Sequence, residues 1–319
     1  MEHNYSEQKN YKLNFQGKGT DFFGIIVVNW ILTMLTLGLY YPWAKAKVLQ
    51  YIYGATELNN DRFTFHGTGK EMFKGFIKAI LIFAAMYGVL FLFIWLNMPF
   101  VGIFLFYVLI ISIIPIAIHG SYRYRMSRTS WRGIRFGYRG DRNKFIKLFF
   151  KNIFLTIITL GIYGAWATVN IRTYVLSHIR MGSIKFKYKA DGADFFLLNL
   201  KGYFLTLITL GIYSFWWQKE IFEFYVNNLY MEKDEQRIRM KSTASGGDFF
   251  ALIVVNLLLL VFTLGLGYAW VAMRTFNFIA QNITLEGNID LDLIAQTEEE
   301  FKDATGEDIN DMLDIDFVM

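Results

Sequence analysis

Four histidines, His3, His66, His119 and His178, are the first residues to test for chemistry. They lie far apart, and none forms the H-x-x-x-H or H-E-x-x-H spacing that puts two ligands on one helix face. They read as surface or capping residues. The chain has no cysteine, which excludes disulfides, thiolate catalysis and thiolate metal sites. Gly17-Lys18-Gly19 and Gly67-Thr68-Gly69 lack the Gly-Lys-Ser/Thr ending of a phosphate loop. No catalytic residue, metal or cofactor is expected, and the chain reads as a non-enzyme.

Charge offers more. Lys45, Arg172, Lys219, Glu220, Glu223 and Arg274 each follow soon after a long apolar run. Ionisable groups inside a membrane are costly and often mark pathways, so these six form a candidate pathway set. Lys219 and Glu223 are spaced i, i+4 and could compensate each other on one helix face. The competing reading is that such side chains snorkel to an interface. A second cluster lies between Ser121 and Lys147, with nine basic residues and Asp141 as its one acid. Within it Arg123, Arg125, Arg128, Arg132, Arg135 and Arg139 are candidate contacts for anionic phospholipid, or topological determinants that hold a loop in the cytoplasm. Nucleic acid is not expected as a partner. Residues 286–319 carry 12 acids and one base, which leaves +16 on the rest of the chain. This acidic tail could fold back on the basic face.

The elements that must position these residues belong to a membrane. Of 319 residues, 54% are hydrophobic and only 18% charged, with 32 Phe, 19 Tyr and 8 Trp and a mean hydropathy of +0.31. That balance argues against a soluble enzyme and against a disordered chain. Uncharged apolar stretches cover 22–44, 79–118, 152–171, 202–218 and 249–273. The second is 40 residues long and broken only at Asn97-Met98-Pro99, so it reads as two spans joined by a tight turn.

An eight-residue pattern recurs at Thr36–Trp43, Thr159–Trp166, Thr209–Trp216 and Thr263–Trp270 as TLGLYYPW, TLGIYGAW, TLGIYSFW and TLGLGYAW. Its tryptophans read as interface anchors. Before each apolar run lies a short alternating segment with a glycine or small-residue exit, such as LNFQGKGTDFF from Leu13 and IKFKYKADGADFF from Ile184. Alternation predicts half-buried strands, and Asp21, Asp194 and Asp248 are expected as helix N-caps.

The predicted architecture is a polytopic α-helical membrane protein of repeated strand–helix–helix units above a small cytoplasmic β-sheet. A polar tail covers 1–12. One domain covers 13–292, in units 13–62, 63–133, 134–183, 184–237 and 238–282 with a closing strand at 283–287. An acidic tail covers 293–319. Each unit is read as a hairpin bent near the Thr-Leu-Gly, with strands and both termini in the cytoplasm. The alternative is one helix running through to the tryptophan, followed by an interfacial helix.

The F-x-F-x-G strands, the D-F-F entry and the T-L-G-[IL]-Y-x-x-W bend resemble the YjgN family, also called DUF898, of bacterial inner-membrane proteins. The resemblance covers roughly Leu13 to Asp292. The fourth bend departs from it, with Gly267 in place of Tyr, and the second unit lacks the bend. The resemblance implies a multi-pass inner-membrane location and no activity. The expectation is an integral membrane protein, a transporter or channel for a small solute or ion, or else a lipid-binding scaffold.

Overall fold

The computed structural model describes residues 9–297 and Ile309. Strand β1 (Lys9–Phe15) leads into helices α1 (Gly19–Leu35) and α2 (Tyr41–Ala55) and returns as β2 (Thr56–Leu58). The same order follows in β3 (Asp61–Phe65), α3 (Gly69–Trp95), α4 (Pro99–Ser127) and β4 (Thr129–Trp131). Next come β5 (Ile134–Tyr138), α5 (Arg142–Ile158), α6 (Gly164–Ser177) and β6 (Ile179–Met181), then β7 (Ile184–Tyr188), α7 (Gly192–Ile208), α8 (Ser214–Asn227) and β8 (Leu229–Lys233). The last set is β9 (Gln236–Ser242), α9 (Gly246–Phe262), α10 (Tyr268–Gln281) and β10 (Ile283–Gly287).

The strands do not make a small sheet. Each pairs antiparallel with its sequence neighbour, and β1 pairs with β10 through Lys9↔Gly287 to Lys12↔Thr284, so ten strands close into a barrel. In a closed antiparallel ring, every odd strand runs the same way. All five helix pairs therefore leave from one rim. There they form a ring of their own, with α2 against α3, α4 against α5, α6 against α7, α8 against α9 and α10 back on α1.

The alternation seen in the sequence now has a reason. Inward residues fill the barrel: Trp131, Met181, Ile184, Met231, Ile238 and Leu285 are all buried to within 2%. Ile289 and a 3-10 turn, Leu291–Leu293, lie beyond β10, and Ile289 and Leu291 are buried in the same core. Tyr11 donates a hydrogen bond to the carbonyl of Ile289 at 3.0 Å.

This corrects the expected fold class. The chain is a closed ten-strand barrel carrying helix pairs, not a polytopic helical bundle over a small sheet. Among the described residues two helices, α3 and α4, are long and apolar enough to cross a membrane. The helices of the other pairs have 14 to 17 residues, about 25 Å at most against a hydrocarbon core of about 30 Å. Of these, α1 and α9 are apolar helices, and their length still falls short of a span. The first strand starts at Lys9, inside the stretch 1–12 expected as a tail.

The helix starts are corrected too. Asp21, Asp194 and Asp248 are third residues of their helices, and the N-caps are Lys18, Asp191 and Ser245. Asp248 completes a capping box with Ser245. Asp141 caps α5 by accepting from Lys144 N–H at 2.7 Å, which holds its carboxyl below the usual carboxylate range.

The Thr-Leu-Gly pattern is a helix-ending turn between the two helices of a pair. Leu37, Leu160, Leu210 and Leu264 take φ of +50°, and Gly38, Gly161, Gly211 and Gly265 take +88° to +95°. The threonine holds the turn twice. Thr159 Oγ1 donates to Leu155 O at 2.8 Å and accepts from Tyr163 N–H at 2.9 Å. Thr36, Thr209 and Thr263 do the same. We expect Thr159→Val to destabilise the hairpin by about 1–3 kcal/mol, because Tyr163 N–H loses its acceptor, while Thr159→Ser stays within about 0.5 kcal/mol. Equilibrium unfolding in detergent checks both.

The tryptophans, expected as interface anchors, pack between neighbouring helix pairs. The ring of Trp270 packs on Gly19, Trp43 on Gly69, Trp166 on Gly192 and Trp216 on Gly246. In each case the tryptophan belongs to one helix pair and the glycine is the first residue of the next pair's first helix. Each ring is partly exposed, so the edge left over is free to act as an anchor. The α4–α5 junction has Arg142 at the glycine position and no tryptophan facing it.

Candidate functional site

The six charges predicted to line one pathway are not brought together. Lys219 pairs with Glu223 along α8, as their spacing indicates. Glu220 turns to α7, with Lys201 Nζ 2.7 Å away and the Tyr213 hydroxyl 3.0 Å away. Glu220 and Glu223 share a cleft of about 770 Å³ with Lys201, Phe204 and Phe224. Arg274 donates to Asn256 Oδ1 at 3.2 Å and lines a different cleft of about 430 Å³ with Asp248 and Gln281. Lys45 lies on α2 near its start. Arg172 opens onto a third cavity, of about 440 Å³, with Gln218, Phe222, Tyr225, Met240 and Ile279.

Polar groups inside the helix pairs have a simpler job. Asn29 donates to Ala44 O at 3.1 Å, Asn170 to Asn152 Oδ1 at 2.9 Å, and Asn256 to Thr275 Oγ1 at 3.2 Å. The corresponding position in α7 is Gly202, on which Trp217 packs, and Lys201 beside it carries the polar link to Glu220. These are clasps between the two helices of a pair, of the kind that apolar surroundings favour.

The basic cluster is divided among several tasks. Arg123 and Arg125 are on the last turns of α4. Arg128 is 5% exposed and bonds Glu71 with Nε at 3.1 Å and Nη2 at 2.5 Å, while Tyr124 OH also donates to Glu71 at 3.3 Å. It is a strut between the base of α3 and the end of α4. Arg132 lies in the turn between β4 and β5 and pairs with Asp61 and Asp292, which raise its pKa further. Arg135 N–H donates to Gln296 Oε1 at 3.0 Å, and Arg139 Nη2 to Thr297 O at 3.3 Å.

Residues 289–297 therefore cross the rim opposite the helices, over the basic segment. Thr297 Oγ1 donates to Gly182 O at 2.8 Å and Ser183 N–H to Ala295 O at 2.9 Å. Ile309 is buried against Ala79 and Ala117 of α3 and α4. The remainder of the acidic tail lies outside the described residues.

His66 bonds Ser130 Oγ at 2.8 Å, and burial with Arg135 and Arg128 nearby lowers its pKa. His119 reaches Gly140 O at 2.9 Å and His178 reaches Tyr174 O at 2.6 Å. Among the described residues no three histidine or acidic side chains gather as metal ligands.

The Glu71–Arg128 strut and the tryptophan–glycine contacts are the features that sequence reasoning missed. A signal for the second was present. Glycine opens the first helix in each pair that follows a tryptophan, and Arg142 stands where no tryptophan precedes.

Residues 10–145, 138–203 and 217–312 match the family model described as "Bacterial protein of unknown function (DUF898)". Over 133 residues the chain is 38% identical to a Salmonella typhimurium protein named Inner membrane protein YjgN, covering 42% of this chain and 32% of that relative. A protein of the same name from Escherichia coli strain K12 is 34% identical over 135 residues, covering 42% of this chain and 33% of its own length. The matched stretch thus spans about a third of the length of these relatives. No solved structure matches.

Proposed function

We propose that this chain, which belongs to the DUF898 family of bacterial proteins of unknown function, is a non-catalytic, lipid-embedded scaffold of the inner membrane. The α3–α4 pair crosses the bilayer. The four shorter pairs enter the lipid from the barrel side and turn back within it. The barrel stands in the aqueous phase, on the cytoplasmic side by the positive-inside rule, because Arg123, Arg125 and Arg128 close the spanning helix α4.

The four hairpin tips carry this reading. Leu37, Leu160, Leu210 and Leu264 are 93–94% exposed although their left-handed backbone costs about 1 kcal/mol each. In water that position calls for glycine or asparagine. A leucine held there at full exposure is repaid only by an apolar surrounding. The backbone agrees. From Thr159 to Gly164 every N–H is bonded inside the hairpin, to Leu155, Ile157, Thr156, Thr159 (carbonyl, then Oγ1) and Gly161. The other three tips repeat this arrangement. Lipid demands such self-sufficiency and water does not.

A conduit for solute has less support. The barrel axis is packed with side chains, its far rim is covered by 289–297, and the six charges share no one pathway: Glu220 and Glu223 line one cleft, Arg274 a second and Arg172 a third.

The cysteine-free chain makes the test clean. A single cysteine replaces each tip leucine in turn and carries an environment-sensitive fluorophore in reconstituted vesicles. Lipids brominated on the acyl chain should quench all four strongly. The reading fails if the tip cysteines instead react with an impermeant maleimide as fast as one placed at exposed Lys185. An ion or solute flux that depends on the protein would also overturn it.

A further inference from the structure

Arg172 sits on α6 at the wall of the 440 Å³ open cavity lined by α6, α8, α9 and α10 and, at its base, by residues of β8, β9 and β10. Its Nε is buried without a hydrogen-bond partner. Its guanidinium carbon lies 3.8 Å from the centre of the Tyr225 ring and 5.7 Å from that of Tyr188. Among the described residues, no acidic side chain lines the cavity. A partly buried guanidinium without a carboxylate beside it is costly, and stacking on tyrosine offsets about 1 kcal/mol of that. Apart from Gln218 and the Tyr225 hydroxyl, the rest of the wall is apolar, with Phe222, Phe249, Ile279 and Ile283 among its residues. One polar end carrying positive charge and one greasy end describe the complement of an amphiphile.

We infer that this cavity binds a single-chain amphiphile with an anionic head, a carboxylate or a phosphate ester, seated on Arg172 with the Gln218 amide beside it. The volume falls within the usual small-ligand range of about 300–1,000 Å³ and suits one alkyl chain, not the two chains of a bilayer phospholipid. The inference rests on the lipid-embedded reading, since a crown of helices in the membrane is where such a molecule is supplied. Tyr188 supports the electrostatics: its ring, 3% exposed, flanks the guanidinium, and burial pushes its hydroxyl up to about 12, so it stays neutral.

The test uses the full chain in nanodiscs and four probes: dodecanoate, dodecyl phosphate, dodecanol and inorganic phosphate. Both anionic amphiphiles should bind, dodecanol at least tenfold more weakly. Arg172→Gln should weaken the anions at least tenfold, and Arg172→Lys should restore part of the loss. Ile279→Trp, which fills the apolar end and leaves the charge alone, should abolish binding of either chain. It also keeps the test alive if Arg172→Gln does not fold. Equal binding of dodecanoate by the native chain and a folded Arg172→Gln variant overturns the proposal. So does dodecanol binding as tightly as dodecanoate. Full competition by inorganic phosphate would overturn it in favour of a free-anion site. Loss of amphiphile binding with the hairpin tips still quenched by brominated lipid sinks the cavity alone; labelling of the tips from water sinks the embedded reading beneath it.

Discussion

Gly192→Ala is expected to destabilise the helix ring by about 1–3 kcal/mol through overpacking. The added methyl would meet Trp166 Cδ1 at 2.3 Å and its backbone Cα at 2.9 Å. A side-chain atom can swing away, but a Cα cannot, so α6 and α7 must part. Trp166→Ala should cost more, about 3 kcal/mol, the lower end for a large aromatic because part of the ring is already exposed. The two together should cost less than their sum, since each removes the same contact. Gly88→Ala is the control. Nothing lies within 4 Å of its Cβ position, and alanine favours a helix interior, so that variant should be neutral or gain up to about 1 kcal/mol. Equilibrium denaturation of the detergent-solubilised chain measures all four. Equal stability of Gly192→Ala and Gly88→Ala would mean that the tryptophans do not hold the ring.

Glu71→Ala has a larger expected effect. Arg128 is 5% exposed and donates to that carboxylate through Nε and Nη2. Removing it breaks an ion pair buried on the Arg128 side, which costs about 3–5 kcal/mol. The loss should appear as an earlier unfolding midpoint and as protease cutting near 127–129, where α4 meets β4. Replacing both partners with methionine should recover most of the stability, because the desolvation cost disappears with the charge. A double variant as unstable as Glu71→Ala would show that the ion pair itself, not its burial, is what matters.

Local elements, and not the architecture, were legible before any coordinates. Alternation located the strand that opens each unit and the closing strand but not the returning strands β2, β4, β6 and β8, and the apolar runs located the helix pairs, because these patterns follow from short periods within one segment. Barrel closure was not legible. The pairing of Lys12 with Thr284 and of Leu13 with Leu58 is written in no local pattern. Nor was the extent of membrane crossing, since hydropathy reports which solvent a residue prefers, and length decides whether a helix reaches the far side. The site fared similarly. Lys219 and Glu223 pair as their spacing implies. Arg172 was flagged for its charge, but its separation from Glu220 and Arg274 depends on which way each helix is rotated in the ring. Arg128 reads in sequence as one more arginine of a basic loop, while its partner Glu71 lies 57 positions away.

The β1–β10 seam imposes an order of events on the making of this protein. Tyr11 waits for Ile289, 278 positions later, before its hydroxyl finds an acceptor. The barrel therefore cannot shut until almost the whole domain has left the ribosome. Through that interval β1 and whichever strand was made last are open edges, the form in which strands recruit the wrong neighbour. A free chain would search a long time for so distant a contact. On the lipid-embedded reading proposed above, the helix pairs enter the bilayer one after another and keep every strand beside the same surface. The search for the closing partner then takes place in a plane, and the last strand to be synthesised finds the first already standing next to it.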